Sequence, residues 1–142
     1  MQLFPKKVKH RKWHTMRINP KKVGFSTRGT TLAFGSYGLK ATTPFRIRSN
    51  QIESARKVVA RAVSKTGKMW IRIFPDKPYT QKPAEVKMGK GKGDPQGYEV
   101  QVLPGRIIFE VDGISEAEAT EALRKAGAKL PVKSRVVSRT NH

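Results

Sequence analysis

The chain has 142 residues, with 30 Lys and Arg against 10 Asp and Glu, a formal net charge of +20, and no cysteine. That length suits one domain and is marginal for two; a chain of this size buries roughly two-thirds of its unfolded surface, enough for a core of its own. Disulfides, thiolate zinc sites and cysteine nucleophiles are excluded, and no apolar run approaches the ~18 residues of a membrane-spanning helix.

Residues 1–22 read as a basic extension. Lys6, Lys7, Lys9, Arg11, Lys12, Arg17, Lys21 and Lys22 are interleaved with Phe4, His10, Trp13 and His14. No apolar stretch marks a secretory signal, and the lysine-rich, serine-free composition argues against an Arg-rich transit peptide. Pro5 and Pro20 discourage a continuous helix. Such an arm has little apolar surface with which to order itself, but its rings suit stacking on exposed bases.

Residues 30–48 read as strand segments broken by glycine, from Thr30, Thr31, Leu32 and Phe34 through Gly35-Ser36-Tyr37-Gly38. Beyond them Leu39, Ala41, Phe45 and Ile47 alternate with Lys40, Thr42, Arg46 and Arg48. The alternation predicts one apolar and one basic face. A helix is predicted over 50–66, opened by Asn50 with Glu53 as a capping box and stopped by Gly67. Ile52, Ala55, Val58, Val59, Ala62 and Val63 fall in one arc, with Lys57, Arg61 and Lys65 opposite. Like charges four apart weaken an isolated helix, and a polyanion along that stripe removes the penalty.

Lys68 to Phe74 alternates as a strand, and Pro75, Pro78 and Pro83 make 75–83 a stiff turn region. Residues 98–103 and 106–111 read as two strands joined by a tight turn at Pro104-Gly105. Ser115 with Glu118 opens a second helix, Glu116 to about Ala126, with acids in its first turns and Arg124 and Lys125 in its last. Gly127 ends it, and residues 130–137 supply a last strand.

The charge is unevenly placed. Residues 1–52 carry 12 basic residues and no acid, 53–93 carry 11 against 3, and 122–142 carry 6 against none. Residues 94–121 reverse the sign, with Arg106 alone against seven acids. That segment is expected to face away from a polyanion, towards solvent or another protein. A solvated face is the ordinary meaning of a charge run, but 52 residues without an acid point to a polyanionic partner.

Lys87 to Gly93, K-M-G-K-G-K-G, is the most unusual stretch. It lacks the Lys-Ser or Lys-Thr of a P-loop, and Asp94 stands where a dinucleotide fingerprint needs its third glycine. It reads as a basic finger whose glycines let backbone approach phosphates, against the blander reading of a flexible hairpin tip. His10 and His14 have metal-ligand spacing but no carboxylate nearby, so no metal site or cofactor is assigned. Three of the acids in 110–121 are explained as helix N-terminal charges. No hydrolase or zincin motif occurs, and no catalytic residue is assigned. Trp70, between Met69 and Ile71, reads as core or half-buried rather than as a base platform. With no zinc finger or RRM signature present, a protein that holds folded RNA by its phosphates fits best.

Several runs carry a resemblance over about residues 2–137. They are F-G-S-Y-G-L-K-A at 34–41, R-I-R-S-N-Q-I-E-S-A-R at 46–56 and W-I-R-I-F-P-D-K-P at 70–78. K-P at 82–83, M-G-K-G-K-G at 88–93, P-G-R-I-I-F-E-V-D-G at 104–113 and A-K-L-P-V-K at 128–133 follow in order. Together they resemble the bacterial large-subunit ribosomal protein sixteen family, uL-sixteen in universal naming. The resemblance implies an α+β fold, two helices packed against antiparallel strands, with a basic N-terminal arm and a long Gly-Lys loop. It implies an arm at 1–22, a single rRNA-binding domain at 23–137 and a tail at 138–142.

It further implies a non-enzymatic constituent of the large ribosomal subunit. Such a protein binds large-subunit rRNA, organises the A-site and also the P-site tRNA region, and joins late in subunit assembly. Neighbouring large-subunit proteins are partners; a membrane and a small-molecule substrate are not. The place is the cytoplasmic ribosome of a bacterium, with an organellar ribosome left open. The candidate rRNA-binding residues are Lys6, Lys7, Lys9, Arg11, Lys12, Arg17, Arg46, Arg48, Arg56, Lys57, Arg61 and Lys65. Lys82, Lys87, Met88, Gly89, Lys90, Gly91, Lys92 and Gly93 match the finger that points towards tRNA. Lys87 departs from an arginine that some bacterial members carry and hydroxylate, and 93–97 reads as a longer turn than many relatives have. The rivals are a free-standing nucleic-acid chaperone, an RNA-acting enzyme and a membrane-active cationic peptide. The enzyme lacks an acid–base or metal constellation; the peptide lacks an aromatic anchor on its Ala- and Val-rich apolar arc.

Overall fold

A computed structural model describes residues 24–64, 66–80 and 95–139. The arm, the Gly-Lys finger and Lys65 therefore lie outside the described residues. The elements in chain order are β1 (Tyr37–Ala41), β2 (Phe45–Arg48), α1 (Ser49–Val63), β3 (Lys68–Ile71), β4 (Lys77–Thr80), β5 (Pro95–Val102), β6 (Ile107–Asp112), α2 (Glu116–Gly127) and β7 (Ser134–Ser138). The fold is α+β, two helices with antiparallel sheets. One sheet has the order β3-β6-β1-β7 and the other β2-β5-β4. Every strand pairing among the described residues is antiparallel.

The alternating segment 39–48 divides between the two sheets. Leu39 and Ala41 are buried in β1 and Ile47 in β2, as the period of two requires, but Phe45 is 56% exposed. Residues 30–34 form no strand; they cross one face of the larger sheet as irregular chain. The first helix opens one residue earlier than predicted. Arg48 is its N-cap, its N–H donating to Gln51 Oε1 at 2.9 Å, while Asn50 Oδ1 accepts from the next amide. Ile52, Ala55, Val59 and Val63 are buried, whereas Val58 and Ala62 sit at the rim. The helix ends at Val63 rather than at Gly67, with Ser64 in the left-handed region at φ 47°.

Two strand readings are corrected. Lys77–Thr80 is a strand, although it holds Pro78. It lies at the edge of its sheet, where a residue without an N–H can be tolerated. The strands on either side of Pro104-Gly105 do not form a hairpin. The turn exists, since Arg106 N–H donates to Leu103 O at 3.3 Å and Gly105 takes φ +98°. It is a corner that sends β5 into one sheet and β6 into the other. Pro95–Gly97, read as part of a turn, belong to β5; Gly93 and Asp94 lie outside the described residues.

α2 matches expectation closely. Ser115 Oγ accepts from Glu118 N–H at 3.3 Å, a cap worth about 1 kcal/mol. Ala119, Ala122, Leu123 and Ala126 are buried. The three alanines let α2 lie close against α1, and both helices cover one face of the larger sheet over Leu39, Phe109 and Val111. A bulge between Leu39 and Lys40 shifts the register, so Ile107 turns to the opposite face and packs with Leu32 and Val137.

Candidate nucleic-acid interface

Of the candidate RNA-binding residues on described chain, Arg48, Lys57 and Arg61 are exposed. Lys57 and Arg61 stand one turn apart on α1, opposite its buried face, as the helical period dictates. Arg46 and Arg56 are half-buried beside acids. Arg46 Nε lies 3.9 Å from Glu99 Oε1, and Arg56 pairs with Glu53 one turn earlier. The Arg56 hydrogen bond holds the Glu53 carboxyl below its usual range. Lys6, Lys7, Lys9, Arg11, Lys12, Arg17 and Lys65 lie outside the described residues, as do Lys82 and Lys87 to Gly93.

Arg61 has company that the helix pattern alone did not supply. A groove of about 650 Å³ runs between α1 and α2 over Val58, Ala62 and Ala122. Arg61, Arg124, Lys125 and Lys129 line it, with Glu118 and Glu121 also on its walls. Lys125 Nζ is 3.0 Å from Glu121 Oε1, and that contact holds Glu121 below its usual range. A second groove of about 820 Å³ separates the end of α2 from β7, with Arg124, Lys133 and Arg135 on its walls beside Thr42, Thr120 and Ser134. Arg124 lines both grooves, so the two form one cation-lined end. The acid-free run 122–142 was the sequence signal for this end. Its convergence with Arg61 depends on the packing of α2 against α1 and β7. Cations and hydroxyls around open grooves suit a phosphate chain, which asks for charge and backbone-scale width rather than a closed pocket.

The expectation that the acids of 94–121 face away from a partner is not met by two of them, which are inside. Glu110 is fully buried and Glu99 is 5% exposed. Glu110 Oε1 accepts from the N–H groups of Ala33 at 3.0 Å, Phe34 at 2.9 Å and Gly35 at 2.9 Å, while Oε2 receives Arg72. Burial pushes this carboxyl up, but the bonds from Gly35, Arg72, Phe34 and Ala33 together outweigh it and hold it below the usual carboxylate range. Asp112 Oδ1 accepts from Ser36 Oγ at 3.0 Å and from Gly113 N–H at 2.8 Å. These acids pin residues 33–36 to the larger sheet, on the face opposite the helices. Glu116, Glu118 and Glu121 are exposed on α2. With its oxygens filled by four donors, Glu110 is a structural anchor and not an acid–base group. Among the described residues, no group of three His, Cys, Asp or Glu side chains could hold a metal ion. No helix among them is long and apolar enough to cross a membrane.

Beside Glu110 stands an aromatic cluster that the sequence reading had only in part. Trp70 is half-buried, as expected. Phe34 stacks on it with centroids 5.8 Å apart and planes at 21°. Arg72 Cζ lies 5.1 Å from the Phe34 centroid.

Comparison with known proteins agrees with the resemblance. The model of the family described as Ribosomal protein L16p/L10e matches residues 5–137. The chain is 53% identical over 137 residues to the large ribosomal subunit protein uL16 of Rickettsia massiliae, across 96% of this chain and 98% of that one. It is 53% identical over 135 residues to uL16 of Rickettsia bellii, across 95% and 96% of the two chains. Against uL16 of Afipia carboxidovorans it is 52% identical over 135 residues, with the same coverage.

Proposed function

Because the chain belongs to the Ribosomal protein L16p/L10e family, we propose that it binds large-subunit rRNA through phosphate contacts and organises the tRNA-binding region beside it. It is a structural, non-enzymatic protein of the large ribosomal subunit, with rRNA and other ribosomal proteins as its partners. Its place is the cytoplasmic ribosome of a bacterial translation system. The finer assignments extend this reading. The arm at 1–22 and the exposed face of α1 contact rRNA. The finger from Lys82 through Lys87 to Gly93 reaches the A-site tRNA, with the P-site tRNA within its range. The protein joins late in assembly.

The observation that carries the phosphate reading is the division of charge. The chain keeps two of its few acids inside and sets four cations, Arg61, Arg124, Lys125 and Lys129, against Glu118 and Glu121 around one open groove. A net +20 repels itself, and a polyanion relieves that repulsion. Contacts to ~6–10 phosphates make affinity fall ~10³–10⁵-fold between 50 and 200 mM salt. Binding of the full chain to a large-subunit rRNA fragment across that range tests the reading. A flat salt response, or equal affinity for generic duplex DNA together with failure to co-sediment with large subunits, overturns it. Lys90→Ala with Lys92→Ala separates the tRNA role from assembly. tRNA accommodation is expected to weaken more than subunit incorporation, and equal loss of both makes the finger an assembly contact.

A further inference from the structure

We propose that Phe34, backed by Trp70 and Arg72, is a stacking platform for an unpaired base of the RNA this protein binds. The proposal rests on the RNA-binding reading above and adds to it a contact with a base rather than a phosphate.

Phe34 is 53% exposed, yet its ring is held. Trp70 and Arg72 are two residues apart on extended chain, since Arg72 N–H continues the β3 ladder to Ile108 O at 2.8 Å. Side chains at that spacing rise from the same face of a sheet, so Trp70 and Arg72 both reach the Phe34 ring, and the residue still keeps more than half of its surface open. The backbone beneath the ring is fixed as well. Phe34 N–H and its two neighbours donate to Glu110, the same carboxylate that takes the Arg72 guanidinium. One buried group therefore sets the ring's backbone and the cation beside it.

A ring held this way loses little freedom when a flat partner covers it. Nucleobases are such partners, because every base has a π-face, and stacking is tolerant of sequence. Charge favours RNA over an apolar protein patch. Exposed Lys68 precedes Trp70 by two residues on the same face, within reach of the phosphates that flank a stacked base. Its cross-strand neighbour Asp112 is engaged by Ser36 and Gly113.

The test uses the full chain with two labelled probes at one moderate salt concentration, a short oligoadenylate and an abasic ribose-phosphate strand of equal length. Phe34→Ala is expected to weaken oligoadenylate binding about 5- to 150-fold and to leave the abasic strand unchanged. Phe34→Tyr is expected to bind as the original chain does. Phe34→Leu, which keeps apolar bulk without a π-face, is expected to behave like Phe34→Ala. The arm's own rings are present in every variant, so the difference isolates position 34. Unchanged thermal unfolding of the leucine and tyrosine variants separates stacking from folding.

The proposal is overturned if Phe34→Ala binds oligoadenylate like the original chain, if it loses both probes equally, or if Phe34→Leu retains full affinity. It is also overturned if the alanine variant keeps its RNA affinity and loses only a contact with another subunit protein. Tight, salt-sensitive binding of the abasic strand with a silent Phe34→Ala removes the platform alone. Failure of the original chain to bind either probe removes the RNA reading with it.

Discussion

The two faces of the larger sheet are covered by different physics. On one face α1 and α2 bury Leu39, Phe109 and Val111 among Ile52, Val59 and Leu123, and removal of apolar surface from water does the work. On the other face the cover is irregular chain, residues 24–36, over the small cluster of Leu32, Ile107 and Val137. There the attachment is polar. Ala33, Phe34 and Gly35 donate to one carboxylate, and Ser26 and Ile107 amides bond to Pro104 O and Gly29 O. A non-directional force tolerates many side chains. An anchored loop depends on a few atoms, which makes it fragile but also able to hold an exposed ring in a fixed pose.

Deleting one anchor from each face tests that contrast. Phe109→Ala empties the helix-covered core and should cost about 3–5 kcal/mol of global stability, read as a cooperative shift in denaturant midpoint. Glu110→Ala strands Arg72 and three backbone donors, and should cost roughly 2–4 kcal/mol, the pair being closed to solvent only on the carboxylate side. Its signature differs. Amides 33–35 should exchange fast while α1 and α2 keep their protection. Equal loss of protection on both faces would show that the loop and the helical core unfold as one unit.

The same carboxylate gives a pH test. Its folded-state pKa is lowered, so its contribution to stability is fully present above the unfolded value of about 4.3 and is lost as pH falls through the lower folded value. Glu110→Gln should flatten the stability curve in that acid window and change little in its slope near neutrality. An unchanged acid limb would mean that the Glu110 carboxyl is not held low in the folded state.

What could be read from the chain divides along the same line. α2 was legible to within a residue because its signals are local: Ser115 caps Glu118, acids sit in the first turn, and Arg124 and Lys125 sit in the last. The buried stripe of α1 followed from periodicity. The strand at Pro78 was missed because only its place at a sheet edge permits the proline. The hairpin at Pro104-Gly105 was misread because a turn signal says that the chain reverses, not which sheet receives it. Glu110 gave no signal, since its backbone partners lie 75–77 residues away. Within the interface, Lys57 and Arg61 were legible from helix geometry, but their neighbours on α2 and β7 required the tertiary packing.

Gly35→Ala probes how tightly the loop is seated. A Cβ at this position would lie 2.5 Å from the Val111 carbonyl oxygen, which is itself bonded to Ser36 N–H. Backbone must shift to admit it, at about 1–3 kcal/mol, and exchange at 33–36 should rise as it does for Glu110→Ala. A stability equal to the original chain would show that the loop can lift off without penalty, and the contrast between the faces would shrink to one residue.

The smallest effect on stability should come from the cation-lined end, where function rather than folding is at stake. Arg61 and Arg124 are exposed and line the groove between the helices. Replacing each by alanine should move stability by no more than about 0.5 kcal/mol, because the buried faces of α1 and α2 are untouched. Each arginine that meets a phosphate should lower the salt-dependence slope of rRNA-fragment binding by about 1. The two measurements pull in opposite directions for this end and for the Glu110 anchor. An arginine pair that costs stability but leaves the slope alone belongs to the fold. A pair that lowers the slope at constant stability marks the groove as the surface the phosphate chain occupies.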